Sequence, residues 1–480
     1  MRLALILLVV IFLVSSESYS KVWTVSPEGE YKFCSDVAPL VEHGDTILIE
    51  SNMYENDEQV TWRKDNLVIK GINGTPFLQA GDKILQNISN GKAIFVIQGR
   101  NNIVENIEFS NCKVNDNNGS GIRQEGANLT VRSCIFRNNE MGILCGSIPD
   151  CKIVIEYSQF YNNGSHQNPG YQHNIYINHV DTLIFRFNLS LNAAAEGHEL
   201  KSRASNNYIL YNVISNINTS DSRNIDLPNG GTAVILGNII EQSQQSANSN
   251  IIGFGMEGLT NPAPHNLWIS SNTIVNKKDR GVFVQTADID TLFAWNNIFA
   301  GAKTGGLIVS NPKFTDTSNN LINDNIDEIM FVDAGSSDFH LTKQSPAVNS
   351  GNSLNIIIAG FKLMPEFEHD KNNIFRKREI KNQLDIGAIE FDEPVSVPEE
   401  VFYEFRVSPN PATDFITIIL QPSEGSMVEI FDMLGVKIQT TPSAAHPPLH
   451  EGNLTIDISH LPVGLYFIKI GDKVEKFVKI

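Results

Sequence analysis

The sequence predicts an all-β protein, an elongated parallel β-solenoid followed by a small β-sandwich. Three segments repeat at a fixed spacing of 25 residues: His173-Asn-Ile-Tyr-Ile-Asn178, His198-Glu-Leu-Lys-Ser-Arg203 and Arg223-Asn-Ile-Asp-Leu-Pro228. Each has an apolar third position (Ile175, Leu200, Ile225) with polar or charged neighbours. A period in the twenties around a strand-like core marks a solenoid in which each repeat is one coil. A propeller blade needs about 40–50 residues, so the spacing argues against one. Alternating apolar residues, Asn/Gly turns and few helix signals complete the case.

The elements follow in order. Arg2 and the apolar run Leu3 to Val14, with Ser18 and Ser20 before Lys21, read as a signal peptide over residues 1–20. The run is shorter than the about 20 residues a membrane-spanning helix needs. No later segment reaches that length, so an exported, soluble chain is expected. Gly44–Glu50 and Asn66–Gly71 read as the first strands. From about residue 100 each coil offers two recurring strands. One series includes Gly142–Cys145, Asn174–Ile177, Glu199–Ser202 and Asn224–Leu227. The other includes Lys152–Ile155, Thr182–Phe185, Asn207–Leu210 and Thr232–Leu236. Its strands end in Asn106, Asn188, Asn212, Asn238, Asn272 and Asn297. Asparagine tolerates left-handed backbone and bonds neighbouring backbone, so one per coil predicts a ladder at a tight bend.

Composition narrows the function. Lys+Arg is 36 against Asp+Glu 54, a net charge of −18. An acidic surface repels nucleic acid and anionic lipid, so neither is expected as a partner. A site for an acidic polymer would have to be locally basic. Five cysteines leave at least one unpaired; Cys134 alternates like a core position, and Cys145 and Cys151 are close enough to bridge a turn.

These repeats resemble the right-handed parallel β-helix proteins of the pectate-lyase-like superfamily, over roughly residues 22–392. Phe339–Val348 and Leu384–Glu390 resemble the closing segments of secreted members. The expected organisation is a signal peptide (1–20), a β-helix (21–392), a Pro- and acid-rich linker (393–402) and a separate unit (403–480). That last unit carries Ser408-Pro-Asn-Pro-Ala-Thr-Asp414, Val428–Gly435, Leu461–Ile468 and the terminal Lys476–Ile480. In this order they resemble the type A C-terminal sorting domain of type IX secretion. The resemblance implies the type IX secretion machinery as a partner, and export across the outer membrane to the cell surface or beyond. A monomer is expected.

The repeat also predicts a grid of side chains, because residues two apart in a strand share a face and stacked strands lie about 4.8 Å apart. With Ile175, Leu200 and Ile225 inward, one outward column is Asn174, Glu199, Asn224, and the next is Tyr176, Lys201, Asp226. The third is Asn178, Arg203, Pro228, with Asn229 beside it. His173, His198 and Arg223 stack at the strand starts and face inward by alternation.

Polysaccharide lyases on this fold cleave uronic-acid polymers by β-elimination. A cation neutralises the C5 carboxylate, a base takes the C5 proton and an acid protonates the leaving oxygen. Gly197-His-Glu-Leu-Lys-Ser-Arg203 is similar to the lysine-bearing strand of chondroitinase B and alginate lyases. The resemblance implies Lys201 as base, Arg223 as the arginine one coil on, and Glu199 as a Ca²⁺ ligand. Arg203 and His198 complete the candidate catalytic set; Tyr176, Asn174, Asn178, Asp226 and Asn229 are candidates for binding a polysaccharide. Two alternatives stand beside the lyase. Glu199 and Asp226, roughly 8 Å apart from strand geometry, fit the separation of an inverting hydrolase pair. A stacked polar ladder fits a non-catalytic glycan binder or adhesin, with Tyr176 and Phe283 as exposed aromatics for sugar rings.

Overall fold

The protein is described from a computed structural model. It covers residues 20–479 apart from 87–90, 218, 304–305, 359, 370–374, 393–405 and the stretches 409–411, 421–427, 432–436, 442–451, 463 and 471–472. The signal-peptide segment 1–19 and the linker 393–402 lie outside the described residues. The chain forms two compact units, Met1–Asp392 and Glu393–Ile480.

The first unit is a parallel β-helix. Among the described residues it has three long sheets, of ten, twelve and eleven strands. The chain visits them in turn, for example Ile175–Ile177 in sheet I, Thr182–Arg186 in sheet II and Leu189–Leu191 in sheet III. All pairing within the three sheets is parallel, and equivalent residues stack coil on coil. Ile122, Ile143 and Ile175 are in register in sheet I, as are Leu200 and Ile225 further on, all fully buried. Burying a side chain of this size contributes about 2 kcal/mol before the entropy of ordering it.

The asparagine ladder forms at the bend from sheet II to sheet III. Asn188, Asn212, Asn238, Asn272 and Asn297 each donate from Nδ2 to the Oδ1 of the next, ending on Asn320, at 2.9–3.1 Å. Each also donates to a buried carbonyl of the preceding coil, as Asn212 does to Phe185 O at 2.9 Å. The expectation that these asparagines take the left-handed backbone is corrected. The left-handed residue is the one before: Phe187 (φ 58°), Tyr211 (φ 57°) and Gly237 (φ 66°). Asn106 falls at that position (φ 55°) and outside the ladder. The ladder's amide bonds fix the bend strongly enough to hold aromatic residues in a conformation they otherwise avoid.

The outer faces of the sheets differ. Phe339, Leu341, Ala347, Ile386, Ala388 and Ile389, from the two predicted closing segments, cover sheet III at Val213, Ile239, Val275 and Ile298. Leu363, with Leu354, Ile356, Phe361 and Phe375, covers the later part of sheet II at Tyr208, Tyr211 and Trp295. The outer face of sheet I carries Arg123, Tyr176, Lys201 and Asp226 in one register column that also holds Val96 and Leu144. All five cysteines are buried and unpaired, so Cys145 and Cys151 form no bridge.

The second unit holds a three-stranded and a four-stranded antiparallel sheet, with Ile416, Ile418, Ile430, Ile456, Ile468 and Phe477 in its core. Among the described residues no helix is long and apolar enough to cross a membrane.

Candidate functional site

The site stands on the outer face of sheet I, where strands Ile175–Ile177, Leu200–Ser202 and Ile225–Leu227 lie side by side. Tyr176, Lys201 and Asp226 occupy one register column, as the grid predicts. Asp226 is the buried anchor. Its carboxylate lies 3.1 Å from Lys201 Nζ, 3.1 Å from Arg223 Nη1 and 3.5 Å from His198 Nε2. Arg203 donates from Nε to Tyr176 OH at 3.0 Å and from Nη1 to Asn229 Oδ1 at 2.7 Å. Seven predicted residues therefore meet: His198, Lys201, Arg203, Arg223, Tyr176, Asp226 and Asn229. Asn178 stands apart, its Oδ1 accepting from the His179 backbone at 2.9 Å.

Two columns point the other way from expectation. Asn174, Glu199 and Asn224 were assigned outward by alternation, yet all three are fully buried inside the helix. They precede the first strand residue, at the corner where the chain turns in from sheet III, so alternation starts one residue later. His173 and His198, assigned inward, flank the outer site, their rings stacked 5.0 Å apart. His173 Nδ1 accepts from the His198 backbone N–H at 3.0 Å, and His198 Nδ1 from that of Arg223 at 3.1 Å. Burial, then the charges of Lys201 and Arg223, pull His198 down to about 3. It is neutral at pH 7, with Nε2–H toward Asp226 and Nδ1 occupied, and has no free lone pair for a general base. Phe283, expected as an exposed aromatic, is buried.

The interior column has a packing logic. In sheet III the inward stack Phe109, Phe136, Phe160 gives way to Ser190 in the next coil. Opposite the phenylalanines the corner residues are Gly121 and Gly142, where a Cβ would meet Phe136 at 2.6 Å and Phe160 at 3.0 Å. Where Ser190 leaves space, Asn174 and Glu199 fill it. Glu199 accepts from Ala193 N (2.6 Å), Ser190 Oγ (2.9 Å) and Asn174 Nδ2 (2.6 Å). Burial, then the charge of Asp221, pushes it up to about 8. Ser190 is legible in the sequence as a polar residue at an inward strand position, and was missed.

This placement removes two assignments. Calcium takes six to eight oxygen ligands, whereas Glu199 is sealed in the core with both oxygens engaged. Among the described residues no three His, Cys, Asp or Glu cluster as a metal site. The residues do not fit Ca²⁺. Nor do Glu199 and Asp226 form a hydrolase pair, since one carboxylate is interior and the other belongs to the outer network.

Sequence reasoning also missed Glu257. Its Oε1 lies 2.8 Å from Lys201 Nζ and its Oε2 2.6 Å from Arg203 Nη2. Burial works to raise it, but hydrogen bonds from Lys201 and Arg203 and their charges outweigh this and pull it to about 2. The signal was coil length. Consecutive ladder bonds span 24, 26, 34 and 25 residues, and Glu257 lies in the long coil between Asn238 and Asn272. Its loop is pinned: Glu257 N donates to Pro228 O (2.9 Å), and Asn261 Nδ2 to Ala204 O (3.0 Å) and Gly230 O (2.9 Å).

Elsewhere on this sheet lies a polar cleft of about 400 Å³, lined by Gln59, Arg63, Lys92, Gln98 and Glu125 among others. It is joined to the cationic network by one register column, Val96, Arg123, Leu144, Tyr176, Lys201. Four steps of about 4.8 Å make a span of roughly 19 Å.

The family model for the secretion system C-terminal sorting domain matches residues 406–480. The C-terminal unit is a type IX sorting domain. With it the chain is marked for export, to be attached at the outer surface or secreted, and the secretion machinery is a partner. No curated protein matches the sequence. Among solved structures, the chain is similar to pectate lyase Pel9A at 13% identity and TM-score 0.46, covering 78% of this chain and 97% of that one. A pectin methylesterase from Aspergillus niger gives 10% identity and TM-score 0.28, covering 63% and 86%. The PL6 family alginate lyase AlyGC gives 13% and 0.27, covering 82% and 60%. The parallel β-helix itself rests on the strand pairing of this chain.

Proposed function

We propose that the exported β-helix binds an acidic polysaccharide along the outer face of sheet I and cleaves it by β-elimination at Lys201. The observation that carries this is the convergence of Lys201, Arg203 and Arg223 on one face of a chain whose net charge is −18. A local concentration of cations on an acidic protein is what a polyanion needs. The column between cleft and cluster suits an extended chain better than a single sugar. In the proposed reaction Arg203 and Arg223 offset the uronate carboxylate charge. Lys201, its ammonium proton first lost to solvent, takes the C5 hydrogen as a proton; the electron pair of the broken C5–H bond forms the C4–C5 double bond as the bond from C4 to the glycosidic oxygen breaks. The leaving oxygen takes a proton from Tyr176, whose hydroxyl already accepts from Arg203.

A second reading is binding without cleavage. It is favoured by Lys201 lying between two carboxylates, Asp226 and Glu257, as one member of an ion-paired network. The test is ultraviolet absorbance of unsaturated uronate product, with the mature chain on a panel of uronic-acid polymers. We expect a rise with at least one polymer, abolished in Lys201→Ala at unchanged melting temperature. A flat trace together with retained polymer binding establishes the second reading. Equal loss of activity and stability in the variant makes Lys201 structural.

A further inference from the structure

In most surface ion pairs the long cationic side chains reach out into solvent. Here the order is inverted. Lys201 and Arg203 retain only 12% and 18% of their side-chain exposure, while Glu257 above them retains 46%. The carboxylate gives one oxygen to each cation, at 2.8 and 2.6 Å. That is the arrangement of a bound carboxylate ligand in a two-point cationic clamp. No in-register carboxylate serves Arg203, whose column neighbours are Asn178 and Pro228. The clamp is otherwise built by fixed neutral partners, Tyr176 OH and Asn229 Oδ1. Asn229 is itself held by donating to Thr260 Oγ1 at 2.8 Å. The loop backbone is pinned before Glu257 by Gly255 N on Leu227 O (2.8 Å), at Glu257 N on Pro228 O, and after it through Asn261, so displacing the Glu257 side chain requires no opening of the loop.

We infer that Lys201 and Arg203 form a carboxylate-recognition clamp, that Glu257 is its internal occupant, and that a carboxylate of an acidic glycan binds by displacing Glu257. The inference rests on the acidic-glycan reading and describes the ligand on arrival, while Lys201 still carries its proton; for elimination the carboxylate is held by Arg203 and Arg223 as Lys201 gives that proton up. It makes Glu257 a competitor that sets affinity and excludes neutral sugars, since a neutral ligand cannot replace the charge it would expel. The displaced carboxylate gains solvent, and the cations exchange one anion for another, so the swap leaves no buried charge unpaired.

The test is Glu257→Gln in the full mature chain, with Glu257→Ala as a second variant, read in two ways. The first is acylation of Lys201 by an amine reagent, followed by mass spectrometry. The second is protection of Lys201 by galacturonate, with galactose as the neutral control. We expect Lys201 to label at least several-fold faster in both variants, and galacturonate to protect it at about tenfold lower concentration than in the wild type, a change of about 1.4 kcal/mol. Galactose should protect in neither. Unchanged labelling and unchanged galacturonate affinity in folded variants would overturn the inference, as would equal protection by galactose. The two proposals fail separately. A clamp released by the variants in a protein that cuts no polymer leaves the inference standing and removes the lyase. A protein that cuts polymer with Glu257→Gln behaving as wild type does the reverse.

Discussion

Two charged columns run along this β-helix, and they are built on opposite plans. On sheet II, Lys70, Glu105, Arg132, Glu156 and Arg186 stand in register and alternate in sign. Neighbours meet at 2.6 Å (Lys70–Glu105), 2.7 Å (Arg132–Glu156) and 2.6 Å (Arg186–Glu156). Every charge finds its partner one rung away. The cations lie outward, 40–43% exposed. At the sheet I cluster the register sets Asp226 beside Lys201, Arg223 reaches the same carboxylate from three residues back along the chain, and the second counter-charge arrives from a loop. There the cations are sunk and the loop anion is exposed. A ladder neutralised by its own register is complete as it stands. A cluster that needs a borrowed carboxylate is one that another carboxylate can enter.

The largest effect that would break this comparison is on stability. Asp226 is 1% exposed and anchors two cations that are themselves mostly buried. Asp226→Ala should cost about 3–5 kcal/mol, because it strands buried charge. Glu156 is almost as buried, but its partners Arg132 and Arg186 can turn to solvent, so Glu156→Ala should cost about 1–2 kcal/mol. Urea unfolding of the two variants checks the order. Equal losses would mean that the sheet I cluster is an ordinary structural ladder.

A second difference lies beneath the two columns and appears in the pH dependence. Glu156 feels burial, which raises it, but the hydrogen bonds from Arg132 and Arg186 win and hold it below the usual range. Its contribution is present above the unfolded value, about 4.3, and is lost as pH falls through the folded one. Glu199 has the opposite sign. Buried and near Asp221, it is pushed up to about 8, and Asp221, chiefly through burial, to about 7. Between about pH 4.5 and 8 the folded chain holds protons the unfolded chain has released, so this contribution falls as pH rises, by up to about 1.4 kcal/mol per pH unit for each proton. Below about pH 6.5 the depressed His198 works the other way, since there the unfolded imidazole holds a proton the folded one lacks; wild-type stability should therefore decline from about pH 6.5 to 8, and Glu199→Gln should flatten that decline by keeping the Asn174 and Ser190 contacts without the charge. A slope unchanged in Glu199→Gln would place the titration elsewhere.

How much of this was legible follows from the same contrast. The grid was readable wherever coils have equal length and strands alternate, which is why Tyr176, Lys201 and Asp226 fall in one column as expected. The asparagine ladder was readable because one residue type recurs at one place. Legibility failed at corners, where alternation has not begun, and so Asn174, Glu199 and Asn224 were turned the wrong way. It failed again in the long coil, because Glu257 has no counterpart in neighbouring repeats to align with. The residue that completes the site is thus the one the repeat cannot predict. A solenoid's regular positions build the scaffold, and its insertions carry what distinguishes one chain from another.

The smallest effect sharpens the comparison most cheaply. Arg132 bridges Glu105 and Glu156 with 43% of its side chain exposed. Arg132→Ala should cost about 0.5–1 kcal/mol at low salt and less at 1 M salt, where the Debye length falls to about 3 Å. Arg203, at 18% exposure and tied to Tyr176, Asn229 and Glu257, is less open to small ions than Arg132. The cost of Arg203→Ala should be larger and nearly independent of salt, as read from melting temperatures in a salt series. If both losses shrink alike as salt rises, the sheet I cations are as open to the solvent as those of sheet II. Glu257 would then be one more rung of a surface ladder, and the inversion that makes it a stand-in ligand would be gone.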